Sequence, residues 1–138
     1  LGFKKLNHFY KKNEKQILFE ILKLNHKKNK IIKKVFFDFL KKKLILFPAN
    51  RTSSIVLTVL KNIGFEVSMF LDNNDQLSSF YKDGVKINTL KYLKINISKL
   101  TKHAVIICYN DIHVIKSMTK QLKTIGFKNK NIRPFITL

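Results

Sequence analysis

The chain has 138 residues, is 45% apolar and carries a net charge of +20. That length suffices for one domain with a real core, and no stretch approaches the roughly 18 apolar residues that a membrane span needs. The single cysteine, Cys108, excludes an internal disulfide framework, and the amino terminus lacks the apolar core of a signal peptide. A cytoplasmic location is therefore expected. The first residue is Leu rather than Met, as expected of a piece of a longer protein.

The charge is uneven. Residues 1–43 hold 14 lysines against three acids (Glu14, Glu20 and Asp38), and the remaining residues hold 14 basic residues against five acids. Such asymmetry fits either a solvated helical surface or an anionic partner.

In chain order, residues 14–24 (EKQILFEILKL) place Ile17, Leu18, Ile21 and Leu22 on one helical face. Residues 30–42 do the same with Ile31, Ile32, Val35, Phe36, Phe39 and Leu40. NHKKN between them reads as a polar break, so residues 1–42 are expected to form a Lys-rich amphipathic helical hairpin preceding a domain over 43–138.

From Lys43 the pattern changes. LILF is a short apolar run typical of a buried parallel strand. Ser53 to Asn62 reads as a helix with Ile55, Val56, Val59 and Leu60 inward, stopped by Gly64. EVSMFLD is a second strand ending at Asp72, and NNDQ is a loop with a helix start at Asp75. DGVKI reads as a turn and short strand, NTLKYL as a short helix and HAVIICYN as another buried strand holding Cys108 as a core residue. Asn110 or Asp111 caps the next helix, whose apolar positions are Ile112, Ile115, Met118, Leu122 and Ile125 and whose stop is Gly126. NIRPF is a last short strand. Strands alternating with helices predict an α/β fold with a parallel sheet and right-handed crossovers.

Ligands of such sheets bind beyond the carboxyl ends of the strands. Those ends are Pro48–Ser53, Asp72–Asn74 and Tyr109–Asp111, and one site is expected where they converge. A dinucleotide loop needs three glycines after its first strand; here those places fall at Pro48, Asn50 and Ser53. Pro48 lacks an N–H and has a fixed φ, so the motif itself is absent. What remains is a helix N-terminus surrounded by Arg51, Thr52, Ser53 and Ser54. It can serve as an anion site, with Arg51 gripping phosphate, or as a plain helix cap. Asp72 lies 24 residues after Pro48 and either meets a nucleotide ribose or opens an Asx turn.

Catalytic patterns are thin. His8, His26, His103 and His113 show no metal-ligand spacing with Cys or acids. No Ser-His-Asp pattern is visible, and Asp72, Asp75 and Asp83 are too loosely spaced for a general-base pair. Chemistry by this chain alone is not expected.

LILFPANRTSS, MFLDNN, DGVKINTLKYL, AVIICYN and LKTIGF occur in that order over residues 43–135. In element order this resembles the Rossmann-like sugar-nucleotide-binding domains attached to bacterial surface-polysaccharide enzymes, including methyltransferases, acyltransferases and glycosyltransferases. The resemblance implies a small Rossmann-like accessory domain or fragment of a larger transferase. By matching position it implies that Asp72 meets a ribose and that the loop Pro48–Ser54, with Ala49, Asn50, Arg51, Thr52 and Ser53, holds phosphates; Asn73, Tyr109 and Asn110, at the strand ends of the same edge, complete the expected binding set. The implied ligand is NAD, a sugar nucleotide or another phosphate-bearing small molecule, and the implied partner is a catalytic domain or a second copy. Two alternatives stand beside it. One is a structural or oligomerisation module with a degenerate pocket. The other is binding of nucleic acid or an anionic membrane through Lys4, Lys5, Lys11, Lys12, Lys27, Lys28, Lys30, Lys33 and Lys34.

Overall fold

The computed structural model describes residues 26–135; the helix expected over 14–24 lies outside them. By its contacts the chain divides into two units, with the boundary between Phe37 and Asp38. The described part of the first unit contains helix α1, His26–Val35. The expected polar break at NHKKN is therefore helical from His26 onward, and the helix stops at Val35 instead of continuing to residue 42. NHKKN holds no Gly or Pro, and Lys is a good helix former, so its polarity does not interrupt the helix; its last residue, Asn29, is buried. Ile31 and Val35, assigned to an apolar face, are exposed, whereas Phe36 is buried.

The second unit, Asp38–Phe135, contains the sheet. A 3-10 turn at Phe37–Phe39 precedes strand β1 (Lys43–Phe47), and helix α2 (Arg51–Asn62) leads to β2 (Glu66–Leu71). A second 3-10 turn, Asp75–Leu77, precedes a hairpin of β3 (Tyr81–Lys82) and β4 (Val85–Asn88). Short helix α3 (Leu90–Ile95) and a third 3-10 turn (Ile97–Lys99) return the chain to β5 (His103–Ile107). Helix α4 (Ile112–Ile125) and a turn at Asn129–Asn131 lead to β6 (Ile132–Pro134). The sheet order is β3-β4-β2-β1-β5-β6. Every neighbouring pair is parallel except β3 with β4.

The expected elements from LILF to NIRPF are all present. The strand absent from the sequence reading is β3, a two-residue edge strand too short to show alternation. Its turn is the legible part. Asp83 and Gly84 adopt φ of 52° and 77°, the paired left-handed residues of a two-residue hairpin turn, for which Asp-Gly is a favoured sequence.

Strand alternation sends Leu44, Leu46, Phe70, Ala104 and Ile106 to one face of the sheet, all of them fully buried; α2 packs against β1 and β2. The opposite residues, Ile45, Phe47, Met69, Leu71, Val105 and Ile107, form a core with Leu93 of α3 and Met118 and Leu122 of α4. Burying both faces explains why these strands read as continuous apolar runs. Ile112, expected to face inward, is 58% exposed, because the first turn of α4 lies past the end of the sheet. Among the described residues no helix is long and apolar enough to cross a membrane.

Two polar groups stand out in this frame. Arg133 on β6 makes a paired hydrogen bond to Asp38, with contacts of 2.8 and 2.9 Å. Its guanidinium lies 4.3 Å above the Phe39 ring. The hydrogen bond from Arg133 holds the Asp38 carboxyl below its ordinary pKa. His103 opens β5 beside Lys43 in the ladder, with a buried Nδ1 that has no hydrogen-bond partner among the described residues. Burial lowers its pKa and Lys43 adds to the effect, against a weaker opposing pull from Glu66.

The folded chain therefore takes up the His103 proton less readily than the unfolded chain. The stability due to this group is complete above about pH 6.5 and declines as pH falls toward the folded value. Urea unfolding at pH about 7.5 and 5.5 should show a loss in the parent chain that His103→Gln reduces. Equal losses in both chains would assign the effect to other groups.

Candidate functional site

The chain leaves β1 toward β2 and β4 on one side and reaches β5 and β6 on the other. The C-terminal ends of β1 and β5 thus form the topological switch point, where open α/β sheets carry their ligands. The loop after β1 reaches both neighbouring strands there. Ala49 donates its N–H to Oδ2 of Asp72 at 3.0 Å, and the Asn50 side chain donates to the Cys108 carbonyl at 3.4 Å. The three strand ends expected to converge do lie together.

Most of the loop's polar groups are consumed internally. Asn50 caps α2 by accepting from Ser53 N–H at 2.7 Å, while Asn50 N–H donates to Ser53 Oγ at 2.8 Å. This reciprocal pair is a capping box with Ser in the place usually held by Glu or Gln. The Ser53 hydroxyl in turn donates to the Asn50 carbonyl. Asp72 accepts from Ala49 through one oxygen and from Asn74 N–H at 2.9 Å through the other. Asp72 therefore opens an Asx turn, with its bond to Asn74, and pins the β1 loop at the same time. The Phe47–Pro48 peptide is cis.

The cap supports a direct stability test. Asn50→Ala removes the acceptor for Ser53 N–H and should cost about 1 kcal/mol, within the usual range for helix caps. Asn50→Asp keeps that acceptor, places an anion at the helix N-terminus and should retain most of the stability. Chemical denaturation of the three chains checks the order; equal losses in Ala and Asp would place the weight on the bond to Cys108 instead.

Against this edge lies a cleft of about 470 Å³, within the usual size range of small-molecule sites. The ends of β1, β2 and β5 supply Pro48, Asp72, Asn73 and Tyr109, and α4 supplies His113, Ser117 and Gln121. The Asn73 side chain donates to Gln121 Oε1 at 3.4 Å, tying the β2 end to α4.

Of the residues expected at the site, Asp72, Asn73 and Tyr109 line the cleft. Ala49, Asn50 and Ser53 are engaged in the loop bonds above. Arg51 and Thr52 form the first turn of α2, with Arg51 exposed and Thr52 half-buried. Asn110 is exposed and does not line the cleft; Asp111, its neighbour, caps α4.

The residues missed by the sequence reading are on α4. His113, Ser117 and Gln121 recur at intervals of four, so one polar stripe faces the cleft, with Val114 and Met118 beside it, while Leu122 faces the core. That stripe was visible in the sequence but looks like any solvated helix face until the cleft is known. Cys108 is buried behind the site, and burial pushes its thiol pKa far up; it is a core residue with no thiolate to offer. Among the described residues no cluster of His, Cys, Asp and Glu is arranged to hold a metal ion.

The architecture is a small Rossmann-like α/β fold, and solved structures share it. UDP-D-quinovosamine 4-dehydrogenase from Vibrio fischeri matches with a TM-score of 0.57 and 19% identity, over 71% of this chain and 80% of that one. RSP, a Rex-family repressor, matches with a TM-score of 0.51 and 18% identity, over 79% of this chain and 52% of the repressor. The same repressor in complex with beta-NADH gives equal values. This chain therefore spans about half the length of the repressor, and at these identities the likeness is one of fold. No family model and no curated protein sequence matches the chain.

Proposed function

We propose that the unit Asp38–Phe135 is an accessory nucleotide-binding domain for a sugar nucleotide or NAD, serving surface-glycan biosynthesis without chemistry of its own. The observation that carries this reading is the cleft at the switch point, with Asp72 at the end of β2, the place from which an acid reaches a nucleotide ribose. Both Asp72 oxygens accept backbone N–H bonds, yet each carboxylate oxygen has a second lone pair for a hydroxyl. Two fold neighbours accord with it: one is named for a UDP-sugar dehydrogenase, and the other holds NADH. In this reading the domain serves a catalytic domain or a second copy as partner.

The loop imposes a limit on how phosphate is held. Its Ala49 and Asn50 N–H groups are taken, so a diphosphate has to rely on the first turn of α2, with Arg51 and Thr52, and on His113 across the cleft. The same internal bonding favours a second reading, in which the pocket has lost its ligand and the fold serves docking alone.

Thermal unfolding with NAD, NADH and a set of UDP-sugars and nucleoside diphosphates separates the two. Binding to the folded state raises the melting temperature by mass action. Ser117→Trp, which fills the cleft from its exposed α4 wall, should abolish the rise. The absence of a shift with every ligand establishes the emptied-pocket reading.

A further inference from the structure

The edge of the sheet opposite the cleft has a different chemistry. The connections entering the parallel strands all lie there. Lys41–Lys43 enter β1, Lys99 and Lys102 precede β5, and Lys128 and Lys130 precede β6. Glu66 and Asp83 are the acids set against them, while Asp38 is paired with Arg133. The cleft edge, by contrast, sets Asp72, Asp75 and Asp111 against Arg51 and Lys91. Part of the chain's positive charge is thus concentrated at the strand N-termini, away from the proposed nucleotide cleft.

At that basic edge lies a second cavity, of about 200 Å³, between α4 and the turn entering β6. Lys42, Lys128 and Lys130 line it, together with Thr101 and Asn131, over an apolar floor that includes Phe127. No acid lines it. Lys42 is held in place by a hydrogen bond from its Nζ to the side chain of the buried Asn131.

The cavity adjoins the C-terminus of α4, whose carbonyls would by themselves repel an anion. The Leu122 and Lys123 carbonyls are occupied, however, by the Phe127 and Gly126 N–H groups. Lys42 also lies within electrostatic reach of the Asp38 carboxylate, whereas no salt bridge joins Lys128 or Lys130 to an acid among the described residues, so an anion in the cavity would gain from both. Ammonium groups and a hydroxyl bind as separate point donors and suit an oxyanion with several oxygens, whereas a carboxylate is best matched by the fork of an arginine.

We propose that this cavity is a phosphate-binding site, distinct from the nucleotide cleft, in which Lys42, Lys128 and Lys130 bind a phosphoryl group with Thr101. A cavity of about 200 Å³ has room for a phosphate or pyrophosphate. The phosphoryl group comes either from a free small anion or from the end of a phosphorylated nucleic acid strand.

The test uses the full chain with inorganic pyrophosphate as probe, read by titration calorimetry and by amide chemical shifts. The expected shifts fall at Thr101, Gly126 and Asn131. The double variant Lys128→Gln/Lys130→Gln should weaken binding about tenfold or more. Lys33→Gln/Lys34→Gln removes the same charge from α1 and should change it little. Binding should also weaken with added salt.

A 5′-phosphorylated oligonucleotide that competes better than its unphosphorylated form would identify a strand end as the source; equal, weak competition by both would identify the free anion. The proposal is overturned by undetectable pyrophosphate binding, by equal losses in the two double variants, or by shifts confined to Pro48–Ser53. The last pattern would instead support the nucleotide cleft. The absence of nucleotide binding in the cleft leaves this site untouched, since the two share no residue.

Discussion

Gly126→Ala is expected to lower the stability of the folded chain by about 2–4 kcal/mol, through two costs that add. Gly126 ends α4 with φ of +122°, beyond the left-handed region that Asn or Asp can use, so any side chain strains the backbone. A Cβ there would also stand 2.9 Å from Cγ1 of Ile97, a half-buried residue packed against the α3–α4 core. Gly64 provides an internal contrast. Its φ is also positive, at +101°, but a Cβ there meets nothing within 4 Å, so Gly64→Ala should carry the backbone cost alone.

Adding Ile97→Ala to Gly126→Ala tests the division. The double variant should be more stable than the sum of the single losses implies, by about 1 kcal/mol, because only the pair removes the clash. Strict additivity in denaturant unfolding would show that Ile97 moves aside freely. A loss from Gly126→Ala below about 0.5 kcal/mol, the usual ceiling for surface changes, would show that α4 can end in another way.

Gly126 also shows why the sheet domain was legible in the sequence. Its place after LKTI marks the helix end by a rule that depends only on local backbone geometry. The same kind of local rule marks Gly64, the Asp83–Gly84 turn and the cap at Asp111. Buried runs such as LILF and HAVII read as strands because both faces of a parallel sheet are covered.

The failures have the opposite cause. NHKKN contains no stop, and whether it is a loop or part of a helix depends on surroundings that periodicity does not register. β3 is two residues long and exists through its pairing with β4. At the site, the sequence located the strand ends, but it could not determine whether Asn50, Ser53 and Asp72 face a ligand or bond within the loops. The Asn50–Ser53 cap is a local pattern, but the Ala49–Asp72 and Asn50–Cys108 bonds join residues 23 and 58 apart and could not be read from it. The sequence also could not separate the cleft-facing stripe on α4 from solvated helix surface.

Asp72→Ala tests the most consequential of those contacts. The Ala49 N–H, on a half-buried residue, and the Asn74 N–H both lose a charged acceptor. Bonds to charged groups contribute about 1.5–3 kcal/mol each when buried and less when exposed. Because Asn74 is exposed, the combined loss should be about 2 kcal/mol. Asp72→Asn should fall between the parent and Ala, since its amide oxygen can serve one N–H while its NH₂ faces the other.

Amide exchange locates the effect. Ala49 should lose protection in Asp72→Ala while the β1 ladder at Ile45 keeps it, because the loop is released and the sheet is not. Unchanged exchange at Ala49 would mean that the loop is held by the Asn50–Ser53 cap alone. The same variant bears on the nucleotide reading from the opposite direction. If Asp72 receives a ribose hydroxyl, a nucleoside-dependent rise in melting temperature seen in the parent should vanish in Asp72→Ala. If Asp72 serves only to occupy the loop, its removal frees the Ala49 N–H, and a diphosphate should bind beside α2 more tightly than in the parent. One substitution thus distinguishes a working nucleotide loop from one whose anion site is filled by its own carboxylate.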